Sequence, residues 1–345
     1  MLPRLLYPYG DAPVEACYKS FPEDFEVEEI LGFEPTGEGE HLFIWVEKTG
    51  LSTPELITRI ASDHGVNAAH ISHSGLKDKH AVTRQWLSLH LPGQDSPIAD
   101  TQGDGYRVLR QLRHLKKLRP GSHKANRFRL RLRQVRDFGE STRQQIEAVR
   151  NAGFANYFGE QRFGRQQDNV MRALQELDKR RLSRTRRGLL VSALRSHLFN
   201  QILRRRIELD CWATPLPGDV FMLRGSHSIF SDDLDADLRA RYRQLDISSC
   251  ASLYGSGATM LAAEPLAIEQ EIFAQHPEIV ACLERQRSQL QMRPLRALTE
   301  DLDYSYDSRA GILELELSLP AGSYVTSLLA HFLQARDASH DRPQD

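Results

Sequence analysis

Between Arg127 and Arg133 the chain alternates strictly: Phe128, Leu130 and Leu132 are interleaved with Arg127, Arg129, Arg131 and Arg133. Successive side chains of a strand point to opposite faces, so this stretch, within 126–135, is predicted to be a strand. One face joins a core and the other forms an arginine ladder. Like charges on one face repel unless anions lie opposite. Two partners are open: carboxylates of the acidic N-terminal segment, or phosphate. The alternation returns near the other end, where Leu313, Leu315, Leu317 and Leu319 interleave with Glu314, Glu316 and Ser318. A second strand is predicted there, running into Pro320-Ala321-Gly322-Ser323-Tyr324 and a short helix.

Residues 25–30 and 41–47 also have strand character. Ser52-Thr53-Pro54-Glu55 is a helix start, with Leu56, Ile57, Ile60 and Ala61 as its apolar face and an end near His64-Gly65. A strand from Gln85 to Leu91 follows. After a helix from Ser141 to about Asn151 the composition changes. The Asn156–Gly164 loop is aromatic and glycine-bearing, and 166–180, 189–208 and 264–292 are predicted helical. The order strands, helices, strand implies a central insertion, with the last strand returning to the first sheet. Residues 337–345 are polar and expected to fray.

The net charge of −1 conceals segregation. Phe21–Val46 holds eight carboxylates and no lysine or arginine, whereas Tyr106–Arg136 holds twelve lysines and arginines and no carboxylate. Lys179–Arg187 adds six basic residues among nine. Local potential decides polyanion binding, so a nearly neutral chain of this kind can bind nucleic acid. No apolar run approaches the roughly 20 residues of a membrane span, and no secretory signal is visible. Cys17, Cys211, Cys250 and Cys282 are scattered, as expected of reduced thiols in a cytoplasmic protein.

The run Ser74-Gly75-Leu76-Lys77-Asp78-Lys79-His80 falls between the predicted helix and strand. Flanking lysines favour an ionised carboxylate at Asp78, a candidate nucleophile or base; a solvated, charged turn is the plain alternative. His70, His73 and His80 lie nearby, but no Glu or Cys stands at a usual partner spacing and the lysines oppose a cation, so no metal is expected. Neither a phosphate-binding Gly-x-x-x-x-Gly-Lys-Ser/Thr loop nor a Gly-x-Ser-x-Gly elbow occurs.

Several stretches together resemble the TruD family of tRNA pseudouridine synthases. They are Asp24–Glu29, Gly32–Pro35 and Gly37–His41, Gly75-x-Lys77-Asp78-x-x-Ala81-Val82-Thr83-x-Gln85-Trp86, Asn126-x-Phe128, Asn156–Gly164 and Leu319–Tyr324. The resemblance implies an α/β fold of the α+β type: a permuted, mixed-sheet pseudouridine-synthase core over 1–152 and 305–345, with an inserted family-specific domain over 153–304. It implies isomerisation of uridine 13 in the D-arm of tRNA, notably tRNA-Glu, with no cofactor or metal. Asp78 falls on the family's essential aspartate, and Lys19 on a basic residue expected to pair with it. Phe25, Asn126, Phe128 and Tyr324 would line the base pocket. Core packing is the other reading of Phe128 and Tyr324, and a turn role that of Asn126. Lys77 would tune Asp78, hold a phosphate or fit the turn. The partner implied is tRNA, for which the basic segments 106–136 and 179–187 are the candidate backbone contacts by their charge; a cytoplasmic monomer with no membrane association is expected. A catalytically silent RNA-binding protein and an N-glycoside hydrolase are the competing classes.

Overall fold

The computed structural model describes residues 4–93, 98, 101–164, 168–179 and 182–341. The chain divides into two compact units. One comprises Pro13–Thr142, Thr299–Gly322 and the chain from Leu333; the other comprises the chain up to Ala12, Arg143–Leu298 and Ser323–Phe332.

The first unit is built on a mixed sheet. Its strands are β2 (Phe25–Leu31), β3 (His41–Lys48), β4 (Ile71–His73), β5 (Val82–His90), β6 (Gln102–Gly103), β7 (Tyr106–His114), β8 (His123–Leu132), Glu300–Asp307 and Ile312–Pro320. In space they run 300–307, 312–320, β8, β2, β5, β3, β7, β6, with β4 also on β5. The pairing of β2 with β5 is parallel and the others are antiparallel. The strand β1 (Val14–Tyr18) pairs separately, in parallel, with Leu333–Asp337. The late 312–320 strand does return to the early sheet, lying against β8 with Leu315 opposite Leu130 and Glu316 opposite Arg129.

Helix α1 (Thr53–Asp63) begins where the Ser-Thr-Pro-Glu signature requires. The Ser52 hydroxyl accepts from the Glu55 amide, and the Glu55 carboxylate accepts from the Ser52 amide at 2.6 Å. The helix buries Leu56 and Ile60 against Leu42, Ile44, Val46, Leu87 and Leu89. Each such side chain contributes roughly 1.5–3 kcal/mol of transfer free energy.

The arginine ladder is satisfied from within the protein. Arg127 and Arg129 approach Glu316 at 3.5 and 3.0 Å, Arg131 reaches Glu314 at 2.8 Å, and Arg133 holds Asp24 through two contacts of 2.8 Å. Most of these carboxylates come from the returning strand rather than the N-terminal segment, because the alternation of 313–319 sets its glutamates directly across from the arginines.

The second unit is mainly helical. Its longest helix, Arg184–Glu208, packs Leu194, Leu198 and Ile202 into a core with Ile268, Ile272 and Leu283. The region 264–292 is not one helix. It divides into Ala263–Gln275 and Pro277–Gln286, and the strand Gln291–Pro294 follows. Proline disfavours helical backbone at the residue before it, and His276 accordingly sits at φ −129°, ψ 53°. The helix expected over 166–180 is Asn169–Glu176; the ends of that expectation, and Arg180 and Arg181, lie outside the described residues.

Inside this unit Arg206 and Asp219 form a buried two-point ion pair at 3.1 Å, and the Ser249 hydroxyl donates to Asp219 at 2.7 Å. Nearby, the Ser252 amide donates to the buried Glu269 carboxyl at 2.6 Å. Burial dominates the environment of Glu269 and raises its pKa from 4.5 to about 7, against the opposing Ser252 hydrogen bonds. The folded protein thus retains a proton that the unfolded chain releases near pH 4.5, so this group's contribution to stability falls as pH rises from there to about 7. Glu269→Gln is expected to flatten that slope. In thermal melts the variant gains on wild type between about pH 5 and about pH 8, and a constant difference across that window contradicts the assignment.

Candidate active site

The Ser74–Ala81 loop between β4 and β5 is clamped through its main chain. The Lys77 amide donates to the Thr53 hydroxyl at 2.8 Å, and that hydroxyl donates to the Gln85 side-chain carbonyl at 2.9 Å. The Lys48 ammonium donates to the carbonyls of Leu51 and Asp78, both at 2.6 Å. A Cβ at position 75 would lie 3.1 Å from the His123 ring and 3.4 Å from Lys77 Nζ, so a larger residue there would have to displace these side chains.

Asp78 is thereby fixed by its backbone while its carboxylate stays 27% exposed. Oδ1 accepts from the His80 amide at 3.0 Å, an Asx-type turn. Oδ2 accepts from Lys19 Nζ, and Lys19 also lies 3.5 Å from Asp337. Lys19 follows β1 in left-handed backbone, φ 58°, and is 2% exposed. Its ammonium stands 4.7 Å from the Phe25 ring centroid and 5.5 Å from that of Tyr18, a cation–π arrangement in a desolvated setting.

The lysines adjacent to Asp78 in sequence face other carboxylates. Lys77 Nζ lies 2.9 Å from the buried Glu29 carboxylate and donates to Asn126 Oδ1 at 2.8 Å. Lys79 pairs with Glu55 at 2.9 Å, half exposed on both sides. The expectation that flanking lysines hold the Asp78 charge is therefore corrected. A buried carboxylate without a partner costs several kcal/mol, so Glu29 claims Lys77, and the ammonium on the Asp78 carboxylate comes from Lys19.

Phe25 and Phe128 are buried on adjacent strands, edge to face with centroids 6.2 Å apart. Asn126 is half-buried on β8, directly across from Glu29 on β2. Lys19, Phe25, Lys77, Asp78, Asn126 and Phe128 thus all belong to the sheet unit. Tyr324 belongs to the helical unit. There it precedes the short helix Val325–Leu329, accepts from Arg162 and packs edge-on to Phe158, tying Leu319–Tyr324 to the Asn156–Gly164 motif.

Lys48, Glu29 and His123 escape the sequence reading, although two of them carried a signal. Lys48 continues the buried alternation Leu42, Ile44, Val46, and Glu29 continues Phe25, Val27. A charge at the next inward position of an apolar alternation marks a buried group that must find a partner. Burial lowers the Lys48 pKa to about 8, with Asp78 the main opposing influence.

The basic segment 106–136 also sorts itself. Its arginines on β8 are paired, and Arg107 meets Glu47 at 3.0 Å. Arg110, Lys116, Lys117, Arg119 and Lys124 are exposed, with no carboxylate among the described residues at salt-bridge distance. The loop carrying Lys116, Lys117 and Arg119 is pinned by the buried Leu118, whose amide donates to the Ser88 hydroxyl, and by the Gly121 amide donating to the Ser74 carbonyl at 2.6 Å. Free cations are therefore anchored against the loop that carries Asp78. In the second basic run Arg186 is paired with Glu176, and Arg187 donates to Leu177 and Gln286.

A family model described as tRNA pseudouridine synthase D (TruD) matches residues 4–177 and 166–332. The tRNA pseudouridine synthase D of Methylococcus capsulatus is 39% identical over 337 residues, covering 96% of this chain and 94% of the relative. That of Chromohalobacter salexigens is 39% identical over 339 residues, covering 96% and 97%. The crystal structure of a candidate tRNA pseudouridine synthase D from Methanosarcina mazei, 21% identical, superposes with a TM-score of 0.74 over 95% of each chain and shares the fold. With its mixed sheet and the family match running nearly end to end, the chain belongs to the tRNA pseudouridine synthase D (TruD) family.

Proposed function

We propose that the protein converts uridine 13 in the D-arm of tRNA, notably tRNA-Glu, to pseudouridine, with Asp78 as the catalytic carboxylate. The observation that carries this reading is the Asp78 carboxylate itself, partly exposed, ion-paired to buried Lys19 and held on a clamped backbone. Breaking the N1–C1′ bond builds positive character on the ribose, which an adjacent carboxylate stabilises or captures. The detached uracil turns and rejoins through C5. The C5 proton is lost and N1 regains one, so the change is an isomerisation that consumes no oxidant, reductant or co-substrate. Reaching the base requires flipping it from the stack into a pocket, for which Phe25, Asn126 and Phe128 are the proposed lining on the sheet unit.

We assign residues 1–152 and 305–345 to the catalytic domain and 153–304 to the inserted domain. The exposed cations Lys116, Lys117, Arg119 and Lys124 are the proposed backbone contacts, because the paired arginines of β8 have no charge to spare for phosphate. A cytoplasmic monomer acting on free tRNA completes the proposal, and it suits four buried, unpaired cysteines.

Tritium release from tRNA labelled at uracil C5, followed together with free uracil, tests the reaction. Release without free uracil is expected; free uracil would instead indicate an N-glycoside hydrolase, and binding with neither a silent RNA-binding protein. Asp78→Asn should lower turnover by more than about a hundredfold while tRNA binding survives. Residual activity within about tenfold of wild type removes the aspartate from its role. Lys116→Ala combined with Lys117→Ala should reduce the slope of log K against log salt by about 2. An unchanged slope takes this loop out of the interface.

A further inference from the structure

The polarity of the Asn126 carboxamide follows from its neighbours. An ammonium group carries only donors, so the oxygen that lies 2.8 Å from Lys77 Nζ must be Oδ1, and Nδ2 must point the other way. Lys77 cannot readily leave, because it neutralises the buried Glu29 carboxylate at 2.9 Å. Glu29 is itself held, its Oε1 accepting from the Trp86 amide at 3.3 Å. The register of β2 against β8 sets Glu29 directly opposite Asn126, which is what allows one lysine to reach both.

On its other side Asn126 Nδ2 lies 3.3 Å from His123 Nε2. Burial, reinforced by Lys77, lowers the His123 pKa and favours the neutral imidazole. Because Nδ2 can only donate, the facing Nε2 accepts in the tautomer that carries its proton on Nδ1. One Nδ2 hydrogen is spent there. The second has no partner among the described residues, and the side chain is half-exposed.

We propose that Glu29 and Lys77 are positioning residues that lock Asn126 so that it offers an N–H, and never its carbonyl oxygen, to the pyrimidine, selecting a 4-oxo base over a 4-amino one. Uracil presents an acceptor at C4 where cytosine presents a donor. A carboxamide free to rotate would serve either. A locked one meets the cytosine amino group donor to donor, leaving both unsatisfied. The inference rests on the proposed role of Asn126 at the target base.

The test uses two tRNA transcripts that differ only in uridine or cytidine at position 13, bound in competition by the Asp78→Asn protein so that no conversion occurs. A preference for uridine of about tenfold or more is expected. Lys77→Met alone would strand the Glu29 charge, so it is combined with Glu29→Gln, and the preference should fall to within about threefold. Asn126→Asp, still held by Lys77, puts an acceptor where the N–H was and should turn the preference toward cytidine. A role confined to anchoring the loop would weaken both RNAs alike and leave their ratio unchanged. That unchanged ratio, in either variant with the melting temperature of its parent, overturns the inference. If the double variant does not fold, Asn126→Asp decides alone, and retention of the uridine preference is then the refuting result. Tritium release by the wild-type enzyme from the uridine transcript separates the two levels. Without it the functional reading and this inference both fall; with it, an unchanged ratio removes only the positioning role.

Discussion

Two charges at inward positions of the sheet govern the geometry around Asp78. Glu29 ends the buried face of β2 and Lys48 that of β3, and neither can be left without a partner in an apolar setting. Glu29 draws in Lys77, and Lys48 takes the main-chain carbonyls of Leu51 and Asp78. The loop between them is therefore fastened at consecutive residues from both flanks. The carboxylate that remains is presented to Lys19 with its backbone already fixed. Preorganisation of this kind lets a reacting group act without first being ordered. The supporting groups Glu29, Lys48 and Asn126 sit on strands, which hold a side chain more firmly than a free loop does.

The same economy separates structural cations from available ones. Half-exposed pairs such as Arg131 with Glu314 contribute little stability individually, but they cancel the field of the ladder. Among the described residues of 106–136, the exposed cations without a carboxylate at salt-bridge distance include Arg110 on β7 and Lys124, together with the three on the loop tied to Ser74.

Much of the fold could be read from sequence because period-two alternation, a capping box and a proline are local signals. β8, the 312–320 strand and α1 announce themselves in this way. The break at Pro277 was also written in the sequence, as proline, but the long apolar stretch around it masked the boundary. Strand β7 was hidden because basic residues dominate a segment in which only Tyr106 and Val108 are fully buried. At the site, Asp78 could be singled out from its neighbours, whereas its ion-pair partner could be anticipated only by resemblance. Lys19 lies 59 residues away and is brought in by a strand pairing that no local pattern encodes. The allegiance of Lys77 depended on Glu29, which looks like one more acid in an acidic segment until the register of β2 places it inside.

The order in which the sheet is synthesised differs from the order in which it is assembled. Arg131 and its partner Glu314 are 183 residues apart, so at about 5–20 residues per second β8 emerges on the order of ten to forty seconds before the strand that neutralises it. During that interval Arg129 and Arg131 lack the glutamates that pair with them, and the apolar face of β8 lacks Leu313, Leu315 and Leu317. The nascent sheet unit is thus incomplete until the 312–320 strand has been made, whereas the core of the helical unit draws mostly on the intervening segment. A ribosome stalled short of Ile312 would hold a polypeptide with an open strand edge beside an unneutralised arginine face, a species with reason to adhere to RNA before it has any means of modifying it.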